Sequence, residues 1–430
     1  MFKLNIFWLS VFSITCLMGF PLIIVCTFLL GLFFTNRKIS YCLLGLIVSI
    51  FSQTRLNYYR EFLDYKPDLA GTWVVVESEG KEFQQQLVLE KGVTKVLAKI
   101  AKYPRIYPSS KVKLNGELAK LDLGDPFQRS YIVNGISWEV KAPYPEVIIA
   151  ANASNDYCTN LKPIYAYELG QFLCGVVIGK YELRAENIQL FKDLGITHVL
   201  SVSGYNVTLV ATLLLGFSGR INRRKLYRLI PICLLIYLQI VGSDNVPAAR
   251  AVIMALVTIL ATATGRPTAI WLAILYTNLV FFWVNPLIYL SISWQLSLSA
   301  LLGILLLTEP LTKYLKFAPR VIRSELAVSL AASIATAPVL LINFGSLSWI
   351  SPLANLIILP LIPYAMLLGG VLLVFGFTQP ISLFLLNLAE VVWNLLLFVL
   401  DLVNKYKLVT IVIFLSLLIL YAISTKQKKI

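Results

Sequence analysis

The chain has 430 residues, 58% of them hydrophobic and only 14% charged, with a mean hydropathy of +0.77. Soluble domains carry about a quarter charged residues, so this composition excludes a soluble globular protein and predicts a polytopic α-helical membrane protein. The formal net charge of +15 does not by itself establish an anionic partner, because cytoplasmic loops of membrane proteins are rich in Lys and Arg.

Residues 4–34 are almost continuously apolar, with Gly19, Phe20 and Pro21 near the middle. This exceeds one span of about 20 residues and predicts a helical hairpin turning near Pro21. No small-residue cleavage site follows it, so it reads as an anchor that stays. Arg37 and Lys38 precede a shorter apolar run at 39–53; with both in the cytoplasm, the next segment lies outside. Residues 1–54 are therefore read as N-terminal membrane helices.

From 55 to 160 the chain is water-soluble in character. TWVVVES, QQLVLEK, TKVLAKIA, SKVKLNGEL, SWEVKA and EVIIAA are short β-rich segments bounded by Gly, Pro, Asn and Ser, which predicts a small all-β domain of five or six strands. Inside it Lys91, Lys95, Lys99, Lys102, Arg105, Lys111 and Lys113 occur with no acid between 91 and 113, and Tyr103 and Tyr107 are interleaved. Such a strip can track phosphates with its charges and stack bases on its rings; it can equally be a solvated strand face. The scattered cysteines Cys16, Cys26, Cys42 and Cys233 lie in apolar runs and read as packing residues. Cys158 and Cys174 fall in the stretch placed outside the cytoplasm, where a disulfide between them can persist.

Residues 161–193 read as interfacial helices. YELGQFLCGVVIG is apolar, and Leu183, Leu190 and Leu194 then fall on one helical face opposite Gln189 and Lys192. Residues 194–430 follow as a membrane domain, with apolar runs near 194–218, 229–242, 247–263, 267–284, 286–307, 323–345, 351–376, 380–400 and 409–424. That brings the chain to about 12 hydrophobic segments. The loops holding Arg220, Arg223, Arg224, Lys225 and Arg228, then Arg266, then Lys313, Lys316, Arg320 and Arg323, then Lys426, Lys428 and Lys429, all fall on one side. The positive-inside rule makes that side the cytoplasm. Both termini are then cytoplasmic and the β domain is outside.

The run at 194–218 holds His198, Ser201, Ser203, Gly204 and Asn206 close together. Hydrocarbon offers such groups no partners, so they face protein or a wet cavity; small residues of this kind also serve simply to pack helices closely. Arg250 lies one turn into a helix that Asn245 and Pro247 open. There it can meet a phosphate, form an ion pair or snorkel. Gln295, Ser299 and Gly303 share one helix face, Ser329, Ser333 and Thr336 another, and SPLANLIILPLIP, with Asn355 between prolines, predicts a broken helix. Glu390 is the acid nearest mid-span, fit to relay protons or to pair with Arg250. The single histidine excludes multi-histidine zinc sites, and no P-loop pattern occurs. No catalytic, metal or cofactor site is read, and Ser203 with His198 lacks an orienting acid nearby.

GITHVLSVSGYNV resembles the signature of the ComEC-type competence proteins, which carry single-stranded DNA across the bacterial inner membrane. Gly195, His198, Ser203 and Gly204 fill its Gly-x-x-His-x-x-x-x-Ser-Gly run, while Asn206 stands where many members have a second His. The Arg250-Ala251 pair, Gly265-Arg266, SWQLS with Trp294 in the aromatic position, and SPLANLIILP are similar to further family motifs, though Ser291 stands where many members have an acid. The tract around Phe127, Tyr131, Gly135 and Ile136 is similar to the strand-forming end of the family's outer domain. The resemblance, from about residue 55 to about 400, implies an OB-like outer domain and a DNA internalisation channel for natural transformation. It implies as partners single-stranded DNA, membrane lipid, an outer DNA receptor with competence pilus machinery, and a cytoplasmic ATP-driven helicase or DNA-binding proteins. Many members carry a C-terminal metallo-β-lactamase-like domain that needs a histidine cluster; the expectation here is a form without it, served by a separate nuclease. The competing reading is a proton-coupled small-molecule secondary transporter built on the helix breaks and Glu390.

Overall fold

The computed structural model describes residues 57, 59, 61, 63–80, 84–92, 94–101, 103, 106–141, 145–149, 167–179, 181, 183–216, 223–242, 245–263, 270–375 and 380–407. The expected hairpin at 4–34, the run at 39–53 and the segment at 409–424 lie outside them. The chain divides into two compact units, residues 1–155 with 256–294 and residues 156–255 with 295–430.

The first unit holds a seven-stranded sheet: β1 (Thr72–Gly80), β2 (Gln84–Lys91), β3 (Thr94–Ala101), β4 (Lys111–Lys113), β5 (Glu117–Lys120), β6 (Ile136–Lys141) and β7 (Glu146–Ile149). The first three strands form an antiparallel meander. The strand order is β5-β6-β3-β2-β1-β4-β7, with β6 parallel to β3. A parallel pair needs a crossover, which the chain between β3 and β6 supplies. Only Leu114, Asn115 and Gly116 part β4 from β5, yet β4 pairs with β1 and β5 with β6, towards opposite ends of the order. The sheet therefore curls back on itself. Trp73, Val75, Leu87, Leu89, Val96, Ala98, Ile100, Val112 and Val140 fill its inner face. The indole of Trp73, fully buried, still donates to Leu69 O at 3.1 Å, the satisfaction a buried N–H requires.

One expectation is corrected here. PFQRSYIV is not strand but a helix, α1 (Pro126–Val133). Asp125 caps it by accepting from Phe127 N at 2.9 Å, and Pro126 occupies the first turn. Asp followed by Pro is a helix-start signal, and it outweighs the β-favouring residues that follow. The same unit includes the apolar helix α7 (Ile270–Val284) and a 3-10 turn at Ile288–Leu290. Asn278, buried within α7, donates to Ile274 O and accepts from the indole of Trp294.

The second unit is helical: α2 (Tyr167–Ile178), α3 (Ala185–Asp193), α4 (Gly204–Gly216), α5 (Arg223–Val241), α6 (Val246–Ala263), α8 (Ile292–Tyr314), α9 (Arg320–Phe344), α10 (Ser351–Ile358), α11 (Ile362–Phe375) and α12 (Pro380–Lys405). The unit boundaries fall inside α6 and α8. Among the described residues, Ile292–Tyr314, Ile322–Phe344 and Ser351–Val371 are long and apolar enough to cross a membrane. A fourth span results if α3 and the segment Thr197–Leu213, bent by 119°, count as one. The apolar run at 194–218 is thus not one continuous helix; its first part is turn, for reasons given below.

The core of this unit is built by α2, α3, α10, α11 and α12, with Phe172, Phe191 and Trp393 stacked at centroid distances of 4.4–6.4 Å. Leu169, Phe172, Leu173 and Val176 bury one face of α2, and Glu168, Gln171, Cys174 and Ile178 are buried beside it, so it packs as a core helix. Small residues let helices close up: a Cβ on Gly303 of α8 would lie 2.4 Å from Ala335 Cβ and 2.6 Å from Ala331 O of α9. The predicted break in SPLANLIILPLIP is a 3-10 turn at Leu359–Leu361 between α10 and α11, where Pro360 cannot donate to the helical ladder.

Candidate functional site

The site is a turn. α3 ends at Asp193, and Gly195 takes φ +70°, a left-handed conformation that favours glycine. A Cβ there would also stand 2.9 Å from Ser348 Cβ and 3.0 Å from Ser351 Cβ. The two serines approach because they satisfy carbonyls that the helix end leaves open. Ser348 Oγ donates to Asp193 O at 2.8 Å, Ser351 Oγ to Gly195 O at 3.1 Å, and Lys407 Nζ lies 3.5 Å from Asp193 O. A 3-10 turn at Thr197–Val199 then leaves Thr197 and His198 exposed while Val199 and Leu200 enter the core. Ser201 Oγ donates to His198 O at 3.3 Å.

The far end of the turn is anchored elsewhere. Ser203 Oγ donates to Asn206 Oδ1 at 3.1 Å, and Asn206 Nδ2 donates to Val176 O at 2.9 Å. Asn206 is 2% exposed, and its amide joins α4 to α2. Tyr237 of α5 donates to the neighbouring Val177 O at 3.0 Å. Two open carbonyls at the end of α2 are thereby taken by side chains from α4 and α5. Gly175 lets this end approach, since a Cβ there would meet Leu200 O at 2.8 Å.

Several helix beginnings are linked through this turn. Gly204 opens α4 against Ala251 of α6, with a Cβ-to-Cβ allowance of 3.5 Å. Asn245 caps α6 by accepting from Ala248 N at 3.1 Å. Arg250, the next residue before Ala251, reaches α8, where its Nη1 donates to Ser297 O. Its Nε is buried without a partner, and among the described residues it forms no ion pair. Gln295 lies partly buried in the same first turns of α8. Ser351 opens α10, and Asn355, one turn on, donates to Ser329 Oγ at 3.2 Å while its Oδ1 is buried without a partner. α4 thus approaches α6 at Gly204 and Ala251, α6 reaches α8 through Arg250, and the first turn of α10 is bonded to the same loop. Each helix N-terminus carries roughly half a positive charge.

Of the alternatives for Glu390, the pair with Arg250 is not formed: Glu390 lies partly buried on α12 and has no ion-pair partner among the described residues. Cys174 is disulfide-bonded and Cys233 is free; Cys16, Cys26, Cys42 and Cys158 lie outside the described residues.

In the sheet, Lys95, Lys99, Lys111 and Lys113 of the predicted basic strip lie on the face opposite the inward Val96, Ala98, Ile100 and Val112, whereas Lys91 falls on the side of the inward Leu87 and Leu89. Neighbouring strands bring acids to the strip. Lys95 lies 4.0 Å from Glu90, Lys99 3.1 Å from Glu139 and Lys113 3.9 Å from Glu146. Lys91 donates to Ala70 O beside the Trp73 ring. Lys111 is exposed, Tyr103 is 74% exposed and Tyr107 is partly buried; the side chains of Lys102 and Arg105 lie outside the described residues.

Sequence reasoning missed Ser348, Ser351, Tyr237 and Ser297. Two serines just before a Pro-opened helix, and one Tyr within the apolar LLIYLQ, were the available signals, because a buried hydroxyl in an apolar segment needs a partner.

No solved structure matches the chain. An uncharacterized protein of Aquifex aeolicus (strain VF5) is 30% identical over 226 residues, 52% of this chain and 52% of that protein, so the matched part spans about half the length of this curated relative. A family model described as Competence protein matches residues 177–425. That match starts at Val177, whose carbonyl Tyr237 caps, takes in Gly195, Arg250 and Asn355, and extends over more than half of the sequence; the chain belongs to the competence protein family, of ComEC/Rec2 type.

Proposed function

We propose that this protein is an inner-membrane channel that passes single-stranded DNA inward during natural transformation. Family membership supports a role in DNA uptake, and the apolar helices support a membrane protein. The single observation that carries the channel reading is Arg250: a guanidinium without a carboxylate partner among the described residues, resting on the Ser297 carbonyl near the beginnings of α6 and α8. A phosphate oxygen can replace that carbonyl with a charge-assisted bond, and the helix dipoles favour the same charge. One arginine with neutral neighbours holds a polyanion weakly enough to release it. In this reading His198, Ser201, Ser203, Gly204, Gln295 and Asn355 border the path, and Asn206 positions them.

The outer domain is read as an OB-like barrel. The β1–β2–β3 meander, the parallel β3–β6 pair and the β4–β5 run that bridges β1 and β6 support this. Lys111 and Tyr103 carry more of any strand contact than Lys95, Lys99 or Lys113, which already face carboxylates. The β domain is placed outside and both termini inside, over about 12 segments in all. The bonded state of Cys174 supports an oxidising exterior for α2, with Cys158 as the proposed partner. Nuclease, helicase, receptor and pilus functions are assigned to separate proteins.

The test is transformation frequency with Arg250→Ala at unchanged protein level. Loss of a charged hydrogen bond of about 1.5–3 kcal/mol predicts a fall of roughly tenfold or more, with Arg250→Lys intermediate. Wild-type frequency with Arg250→Ala would overturn the reading.

A further inference from the structure

The turn that leads into α1 spends its own polar groups on its own backbone. Asp122 Oδ1 accepts from Gly124 N at 2.8 Å, and Asp122 N donates to Gln128 Oε1 at 2.7 Å. Asp125 Oδ1 accepts from Phe127 N at 2.9 Å. Arg129 donates through Nε to Leu123 O at 2.8 Å and through Nη2 to Gly124 O at 3.2 Å. Beside the exposed Asp122 this turn presents two apolar side chains: Leu123 is 51% exposed and Phe127 70% exposed. Single exposed apolar residues are common, but here two occur four residues apart on a turn whose carboxylates each accept a backbone N–H of the turn.

The other end of α1 shows what covers them. Val133 O accepts from Asn285 Nδ2 at 2.6 Å, and Asn285 directly follows α7. That helix is apolar along its length and ends in Trp283, 60% exposed, and Val284, 66% exposed. A tryptophan at the end of an apolar helix marks the boundary between water and lipid. The eight residues of α1 span about 12 Å, so Leu123 and Phe127 are carried one short helix away from that boundary, within the same compact unit.

We infer that Leu123 and Phe127 insert into the surface of the bilayer leaflet that receives the end of α7, anchoring the β domain on lipid. The turn is pre-organised for this, since the N–H groups of Asp122, Gly124 and Phe127 and the carbonyls of Leu123 and Gly124 are satisfied within it and need not be stripped of water on insertion. Phe127 and Trp283 then form one interfacial belt. The inference rests on the chain being a membrane protein and not on what it carries.

The test uses the full chain in phosphatidylethanolamine–phosphatidylglycerol proteoliposomes, with p-benzoylphenylalanine replacing Leu123, Phe127 or, as control, Glu117. Glu117 is exposed and pairs with Lys141, at the end of β6 farthest from α1. All three positions are exposed, so the replacements leave the core intact. Irradiation with an oligonucleotide present is expected to yield phospholipid adducts at 123 and 127 several-fold above those at 117. Phospholipid adducts no greater than at 117, or adducts chiefly to the oligonucleotide or to another protein, would overturn the anchor; the last two would instead make the turn a base-stacking platform or a subunit contact. Neither result bears on Arg250, so the anchor and the channel fail separately.

Discussion

Asn206 and Val176 are joined by a 2.9 Å hydrogen bond between a side-chain amide in α4 and the open carbonyl end of α2. Because Ser203 donates to the other end of the same amide, Asn206 uses both of its functions at once. Asn206→Leu leaves Val176 O buried without this donor. Interhelical bonds in membrane proteins average about 0.6 kcal/mol, but an orphaned buried acceptor costs about 1–3 kcal/mol. A loss on the order of 1–2 kcal/mol in thermal unfolding is expected. Asn206→His, which keeps one donor and one acceptor, is expected to lie closer to wild type than Asn206→Leu. Equal stability of the three proteins would remove the joint.

Gly195 and Gly92 make a controlled pair. Both have φ between 65° and 70°, so alanine at either meets the same left-handed penalty of about 1–2 kcal/mol. Only Gly195 also faces the Cβ atoms of Ser348 and Ser351; Gly92 has nothing within 4 Å. Gly195→Ala is therefore expected to destabilise the protein more than Gly92→Ala, and to expose the 195–203 loop to protease. If the two variants unfold at the same temperature, the contact with α10 does not constrain the turn.

Much of this arrangement was legible from residue order alone. His198, Ser203 and Gly204 marked a polar interruption in an apolar run, and the structure has a turn there. The prolines of SPLANLIILPLIP marked a helix break, which lies at Leu359–Leu361. What could not be read was pairing across distance. The absence of acids between 91 and 113 suggested an open basic strip, but Glu139 and Glu146 lie on β6 and β7 and reach Lys99 and Lys113 only through strand register. Likewise Arg250 meets a backbone carbonyl rather than Glu390, and a backbone acceptor leaves no trace in composition. The helix at Pro126 was legible in principle, from Asp125 and Pro126, but the tract was read through its resemblance to the strand-forming end of the family's outer domain.

Gly303 predicts how tightly α8 and α9 are paired. An alanine Cβ would come within 2.6 Å of Ala331 O, a backbone atom that cannot swing aside, and 2.4 Å of Ala335 Cβ. Overpacking of this kind costs about 1–3 kcal/mol. Gly370→Ala, with nothing within 4 Å of the new atom, is expected to be neutral or slightly stabilising, because alanine favours the helix by about 1 kcal/mol. Unfolding of both variants in the same detergent reads the difference directly.

The sheet makes a prediction about charge that follows from pairing, not from count. If the outer face of the β domain contacts single-stranded DNA, a lysine already facing a carboxylate contributes less than one that faces water. Lys99 stands 3.1 Å from Glu139, whereas Lys111 is exposed and forms no ion pair among the described residues. Lys111→Gln is then expected to weaken oligonucleotide binding by the full-length protein and to reduce the slope of log affinity against log salt by about 0.7, the value for one phosphate contact on a single strand. Lys99→Gln is expected to change that slope little, and to uncover the Glu139 carboxylate instead. The unfolding temperature of each variant is measured alongside, because Glu139 is only 16% exposed and loses its partner in Lys99→Gln. Equal slopes for Lys111→Gln, Lys99→Gln and wild type would mean that strand contacts do not run along β3 and β4.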